Sequence, residues 1–335
     1  MTDIYYNQLA KMLRQGVTNY MRSKPLVISF EVTYSCTCNC VHCDHGGIIR
    51  DEKRLEPRRY ADMKAMLCPA VAQISGGEPL LREDLFDILA AVKKSPDDLP
   101  YLILVTNGSL LTRELYVELK RAGINRFSVS LDFPDERHDD FRRYKGLYAH
   151  LEELIPGLAS EFGSHDIAMN SAITRSNMPH LVELARKAES WGVNISYSAY
   201  GVKRTGDEQY FIYSAEDLRL LRSQILELVE MKKRGNLILN APDILMNTFG
   251  YFVNRRVPHC SAGRRFLVVR PDGRLSPCSM MPHARYYDTQ EDMLEKFTGR
   301  NRCGDCFVAI RAYSDKSFGA LARENLSMLL SLTRS

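Results

Sequence analysis

The sequence predicts an α/β protein built as a partial (β/α)6 TIM-type barrel with a small cysteine-rich C-terminal unit. Three observations carry this expectation. From residue 27 to about 200, short β-branched or apolar runs alternate with longer amphipathic segments, the pattern of repeated βα units and a parallel sheet. Six such runs are present, which makes a barrel open along one side. Polar or glycine-rich sequence follows their C-terminal ends ("SCTCNCVHC", "GGEP", "TNGS", "LDFPDERHDD", "TRSN"), and in α/β barrels that face carries the chemistry.

In chain order, residues 1–24 form a helical segment, and residues 25–215 form the barrel. Its strands are expected at "LVISFEVTY" (26–34), "VAQISG" (71–76), "YLILVTN" (101–107), "RFSVSLD" (126–132), "DIAMNSAIT" (166–174) and "NISYSAY" (194–200). Between them lie helical patterns such as "REDLFDILAAVKKS" and "TRELYVELKRAG", the second ending at Gly123 as helix C-termini often do. Residues 216–256 form a helical connection. The C-terminal unit spans 257–335 and contains "RFLVVRPDGRLSPC", a hairpin around a Pro-Asp-Gly turn.

With 335 residues, 45% hydrophobic and 26% charged, the chain can bury a sizeable core. A net charge of +4 is small for this size and argues against a nucleic-acid binder. No apolar run approaches the roughly 20 residues that span a bilayer, and the N-terminus lacks a signal peptide's apolar core, so a cytoplasmic protein is expected. In a reducing compartment clustered thiols act as metal ligands or catalysts more often than as disulfides. Seven of the nine cysteines fall into two groups. Cys68 lies alone in a helical pattern and reads as a small buried hydrophobe.

The first group, Cys36, Cys40 and Cys43, is spaced Cys-x3-Cys-x2-Cys just past the first strand. Three thiolates on one loop can hold three irons of a cubane cluster and leave the fourth open to a small molecule. Zinc completed by Cys38, His42 or His45 is the alternative from this loop alone. After the next strand comes "GGEP", Gly76, Gly77, Glu78 and Pro79, where paired glycines allow a ligand close to the backbone.

These two motifs at adjacent strand tips resemble the radical S-adenosylmethionine (SAM) enzymes over residues 27–200. The resemblance implies a catalytic 4Fe-4S cluster on Cys36, Cys40 and Cys43, with SAM chelating the open iron. One-electron cleavage then gives methionine and a 5'-deoxyadenosyl radical that removes hydrogen from a substrate carbon. It further implies an electron donor such as a flavodoxin or ferredoxin. By position, Gly76, Gly77, Glu78 and Pro79 receive the methionine amino group, Ser130 and Asp132 ("SVSLD") lie near the ligand, Arg142 ("HDDFR") pairs with the methionine carboxylate, and Asn170 lies near the ribose. Where many relatives have glycine after Ser-Leu-Asp, this chain has Phe133, and Cys38 occupies no ligand position.

Cys260, Cys278, Cys303 and Cys306 form the second group. Structural zinc and a second iron-sulfur cluster both suit four thiols. The segment "C…PDGRLSPC…CGDC" is similar to the auxiliary-cluster extension called twitch, the shortened SPASM domain, which implies one auxiliary 4Fe-4S cluster. Nothing after Cys306 supplies ligands for another.

The expected reaction is a net oxidation or bond formation on a small molecule. A peptide or protein side chain is the alternative, disfavoured because the segment before the first strand is too short for a leader-peptide recognition domain. A lipid or isoprenoid is a third class, since residues 5–21 and 318–332 could form amphipathic helices on a membrane. An iron-sulfur electron carrier or zinc module leaves Gly-Gly-Glu-Pro unexplained. Arg255, Arg256, Arg264, Arg265 and Arg270 crowd the start of the C-terminal unit, which makes Arg264 and Arg265 candidate contacts for an acidic substrate.

Overall fold

The structure, a computed structural model of the chain, describes residues 2–163, 165–281 and 286–321, with side chains from residue 7 onward. Six parallel strands, β1 (Val27–Thr33), β2 (Val71–Gly76), β3 (Tyr101–Thr106), β4 (Arg126–Ser130), β5 (Ile167–Ile173) and β6 (Asn194–Ala199), stand side by side in chain order. Helix α1 (Thr2–Arg22) precedes them. The crossovers carry α2 (Pro57–Leu67), α3 (Leu85–Val92), α4 (Arg113–Arg121), α5 (Arg137–Arg142), α6 (Leu147–Phe162) and α7 (Leu181–Ser190). After β6 come α8 (Val202–Thr205), α9 (Ala215–Lys233) and α10 (Pro242–Asn254), then β7 (Phe266–Val269), β8 (Leu275–Ser276), α11 (Gln290–Lys296) and α12 (Ala309–Ser314).

Alternation along each strand sorts its side chains. On β1, Ile28, Phe30 and Val32 are fully buried against the helices, with Phe30 edge-on to Tyr60 of α2 at 5.4 Å. The opposite positions, Ser29 and Glu31, face the barrel interior, where Ser29 hydrogen-bonds Ser75 of β2 at 2.6 Å. The same phase on β2, β4, β5 and β6 presents Gln73, Ser128, Ser130, Asn170, Ser196 and Ser198. Closed (β/α)8 barrels fill this space with branched apolar layers. Here β3 contributes Ile103 and Val105 in the same phase, and the remaining strands make the lumen largely polar.

The sheet is open, as expected, but it does not end at β1. Strand β7 pairs in parallel with β1 from Val27↔Phe266 to Phe30↔Val269, and β8 returns antiparallel beside β7. Gly273, at φ +85°, makes the turn between them. The C-terminal unit is thus continuous with the barrel sheet. Helix α12 packs on both β6 and β7, and Ala309 N donates to Ser198 Oγ at 3.0 Å, so this unit covers the open side.

Cys68 is not buried. It is the exposed left-handed residue (φ 47°) that ends α2. Helix α1 packs on the barrel: Gln8 Nε2 donates to Pro96 O at 3.0 Å, and Asn19 Nδ2 to Pro25 O at 2.7 Å. Most of the helix expected over 318–332 lies outside the described residues. Among the described residues no helix is long and apolar enough to cross a membrane.

Candidate active site

The loop after β1 is hung on backbone bonds. Cys36 N donates to Gly47 O at 2.9 Å, Asn39 N to Arg142 O at 3.2 Å and Val41 N to Phe141 O at 3.1 Å. Phe141 stacks on His42 at 4.8 Å, and Phe133 meets Phe141 edge-on at 5.5 Å. The phenylalanine in place of glycine therefore braces α5 beneath the cysteine loop. Donors point at each sulfur: Asn107 Nδ2 lies 3.6 Å from Cys36 Sγ, Arg142 Nη1 3.6 Å from Cys40 Sγ and His45 N 3.5 Å from Cys43 Sγ.

Hydrogen bonding by the fully buried Cys38 pulls the pKa of both Cys36 and Cys40 down, with Cys40 held at about 6. Arg142 adds to the effect at Cys40. Burial keeps His42 neutral and pulls His45 down to about 4. His45 stacks on Tyr34 at 4.5 Å. Among the described residues no three His, Cys, Asp or Glu side chains are grouped to hold a single ion as they stand.

Gly76 and Gly77 allow a close approach of backbone. A Cβ on Gly76 would meet Thr33 O at 2.0 Å, and one on Gly77 would meet Ser35 O at 2.2 Å. The glycines admit the backbone leading into the cysteine loop, which is fastened by Gly77 N to Thr33 O at 2.7 Å and Glu78 N to Ser35 O at 2.8 Å. Glu78 is fully buried and accepts from Thr106 Oγ1 and Asn107 N, each at 2.8 Å, and from Leu80 N at 3.1 Å. Burial raises its carboxyl to about 7 against these bonds. Pro79 opens the short helical turn that follows.

Arg142 and Asp132 meet each other. The guanidinium donates through Nε to Asp132 Oδ2 at 2.7 Å, with both side chains buried, while Asp132 Oδ1 accepts Ala172 N at 2.9 Å. Ser130 and Asn170 stand opposite one another on β4 and β5, and Asn170 Oδ1 accepts Ser196 Oγ at 3.0 Å.

Cys260, Cys278, Cys303 and Cys306 line one cavity together with Phe266, Val268, Met280 and Met281. Ser29 and Gln73 of the lumen form its inner wall. Asn301 ties two of the thiol segments, donating to Cys260 O at 2.9 Å and accepting Cys303 N at 3.0 Å. Burial pushes Cys260 up to about 12 and raises Cys278 and Cys306 as well. Arg265 donates to Lys316 O at 2.9 Å and Tyr20 Oη at 2.6 Å, pinning α1 to the C-terminal unit.

Three residues at this site escape the sequence motifs. Asn107 stands within the polar "TNGS" tip, a visible but unspecific signal. Glu31 shows only as a polar residue in phase with Ser29; it is buried, bonded to Tyr34 Oη at 2.8 Å, and burial raises its carboxyl above the usual range. Arg204, which reaches Asp44, carries no local signal at all.

Residues 30–185 match the model of the radical SAM superfamily. The AdoMet-dependent heme synthase of Methanosarcina barkeri is 27% identical over 78% of this chain and 79% of its own length. The PqqA peptide cyclase of Granulibacter bethesdensis is 26% identical over 76% of this chain and 67% of its own. In fold, the chain is similar to Streptococcus suis SuiB bound to precursor peptide SuiA, with TM-score 0.62, 17% identity, and coverage of 85% of this chain and 68% of that one. The family uses a 4Fe-4S cluster and SAM. With the barrel, the three-cysteine loop and the matched segment in agreement, residues 30–185 form a radical SAM domain.

Proposed function

We propose that this radical SAM enzyme performs a net oxidation, a dehydrogenation or bond formation, on a small organic molecule held in the largely polar lumen. The observation that carries the reading is the shared wall: Ser29 and Gln73, on the lumen face of β1 and β2, also line the cavity of the second cysteine group. An electron acceptor in that cavity would border the substrate chamber.

The donor sets fit the groups assigned to them. Cys36, Cys40 and Cys43 would hold the catalytic cluster, because each sulfur already faces an N–H donor suited to a thiolate. Cys260, Cys278, Cys303 and Cys306 would hold one auxiliary 4Fe-4S cluster, since four thiols ring an apolar cavity and burial there favours metal-bound over free thiolates. When bound, the catalytic cluster and SAM would supply the one-electron chemistry for hydrogen abstraction from substrate.

The chain's own residues bind, orient and exclude water. Gly76 and Gly77 fix the β2 tip against the loop, Glu78 orients the β3 tip, and Arg142, steadied by Asp132, offers Nη1 to Cys40. Ser130 and Asn170 supply hydrogen bonds for SAM on the lumen face. A flavodoxin or ferredoxin delivers the electron. The small-molecule reading draws on the heme synthase similarity over most of both chains. A peptide substrate is the second reading, favoured by the similarity to the PqqA peptide cyclase.

Anaerobic reconstitution tests this. Replacing Cys36, Cys40 and Cys43 with alanine should abolish 5'-deoxyadenosine formation. Cys278→Ala should still cleave SAM yet fail to complete product, and normal product yield without the second cluster overturns the oxidative role.

A further inference from the structure

Helix α8 follows β6 at the edge of the barrel and carries two consecutive cations that reach different cysteine groups. Lys203 Nζ donates to Asp305 Oδ2 at 2.7 Å and stands 4.0 Å from Cys303 Sγ, on the wall of the second cavity. Arg204 Nε donates to Asp44, the residue after Cys43, and Asp44 Oδ1 lies 4.0 Å from Cys43 Sγ. Side chains at i and i+1 of a helix point to different sides. One turn can therefore address both sites across the seam.

A one-electron reduction adds negative charge to a cluster. A cation close to a ligating sulfur stabilises the reduced form and raises the potential, and a nearby carboxylate opposes it. The effect is strong where protein excludes water. Arg204 is largely buried, with its side chain 20% exposed, and it is held against Asp44 beside Cys43. Each cation is paired with one aspartate, so each site has a matched positive and negative lever.

We propose that Lys203 and Arg204 are positioning residues that set the reduction potentials of the two clusters separately, Lys203 for the Cys260, Cys278, Cys303 and Cys306 group and Arg204 for the Cys36, Cys40 and Cys43 group. The inference rests on the cluster assignment under Proposed function. Its test is an EPR-monitored redox titration of the full chain, reconstituted anaerobically, with iron content measured alongside.

Lys203→Met should lower the midpoint of the second cluster by roughly tenfold in reduced-to-oxidised ratio at fixed poise, about 59 mV for a one-electron couple, and leave the first unmoved. Arg204→Met should do the converse. Lys203→Arg should restore the wild-type midpoint, and Asp305→Asn should raise that of the second cluster. Unchanged midpoints in fully loaded Met variants, or both clusters shifting together in each, overturn the proposal. If Lys203→Met loses the second cluster, Asp305→Asn decides: a raised midpoint supports the proposal, and a lowered or unmoved one overturns it. A wild-type chain lacking a second cluster is a separate result, which overturns the assignment and the proposal with it.

Discussion

The guanidinium of Arg142 donates to Asp132 Oδ2 at 2.7 Å while its Nη1 stands 3.6 Å from Cys40 Sγ. A lumen residue of the β4 tip thereby holds the cation that faces a loop thiol. Removing one partner of a buried pair leaves an uncompensated charge, which costs about 3–5 kcal/mol. Asp132→Ala should lose that much in urea unfolding of the metal-free chain and should bind less iron. A loss under about 1 kcal/mol, the range of surface pairs, would contradict this arrangement.

Gly77 is where the β2 tip touches the entrance of the cysteine loop. A Cβ there would sit 2.2 Å from Ser35 O and 2.7 Å from Tyr34 O, both backbone atoms that cannot swing away. Gly77→Ala should cost roughly 1–3 kcal/mol by overpacking and displace Cys36, seen as reduced iron content. Gly146, with nothing within 4 Å of an added Cβ but a φ of +83°, separates the two causes. Gly146→Ala carries backbone strain alone and should keep its iron.

Glu78 gives a pH signature. Its folded value, about 7, lies above the ordinary 4.5 because burial disfavours the charge. Between those values the folded state holds more of the proton than the unfolded state does. Its contribution to stability is therefore fully present below about 4.5 and is lost as pH rises towards 7, at up to about 1.4 kcal/mol per pH unit. The stability of wild type minus that of Glu78→Gln should fall across this window and flatten above it. A difference that rises with pH would show that the hydrogen bonds to Thr106, Asn107 and Leu80 outweigh burial.

The strands were legible because each is a short apolar or alternating run ending in polar sequence; β2 is observed at Val71–Gly76, as the run "VAQISG" predicts. The cysteine loop was legible because its spacing is local. What stayed hidden depends on contacts distant in sequence. Arg204 meets Asp44 across 160 positions, and Asn107 meets Cys36 across 71, so neither leaves a local pattern. The glycines of Gly-Gly-Glu-Pro were visible as a motif, yet the atoms they avoid, Thr33 O and Ser35 O, come from the neighbouring strand's end. Cys68 was misplaced because a helical pattern does not mark its own last residue.

Arg311 has the same hidden character and makes the sharpest test of the second cysteine group. It is fully buried on α12, donates through Nε to Asp315 Oδ2 at 2.9 Å, and reaches Val257 O, Pro258 O and Cys306 O with its two terminal nitrogens. One planar fork thus joins the chain before Cys260 to the chain after Cys306. Methionine at this position would keep much of the volume but leave three carbonyls and one carboxylate without their donor, each an unmade bond worth about 1–3 kcal/mol. The segments it joins carry two of the four thiols, so Arg311→Met should lose the second cluster while the first, supported from α5 and β3, stays loaded and cleaves SAM. Lysine restores charge without the fork. Arg311→Lys should therefore resemble methionine more than wild type, and a fully loaded second cluster in Arg311→Met would show that the cavity holds its shape without this residue.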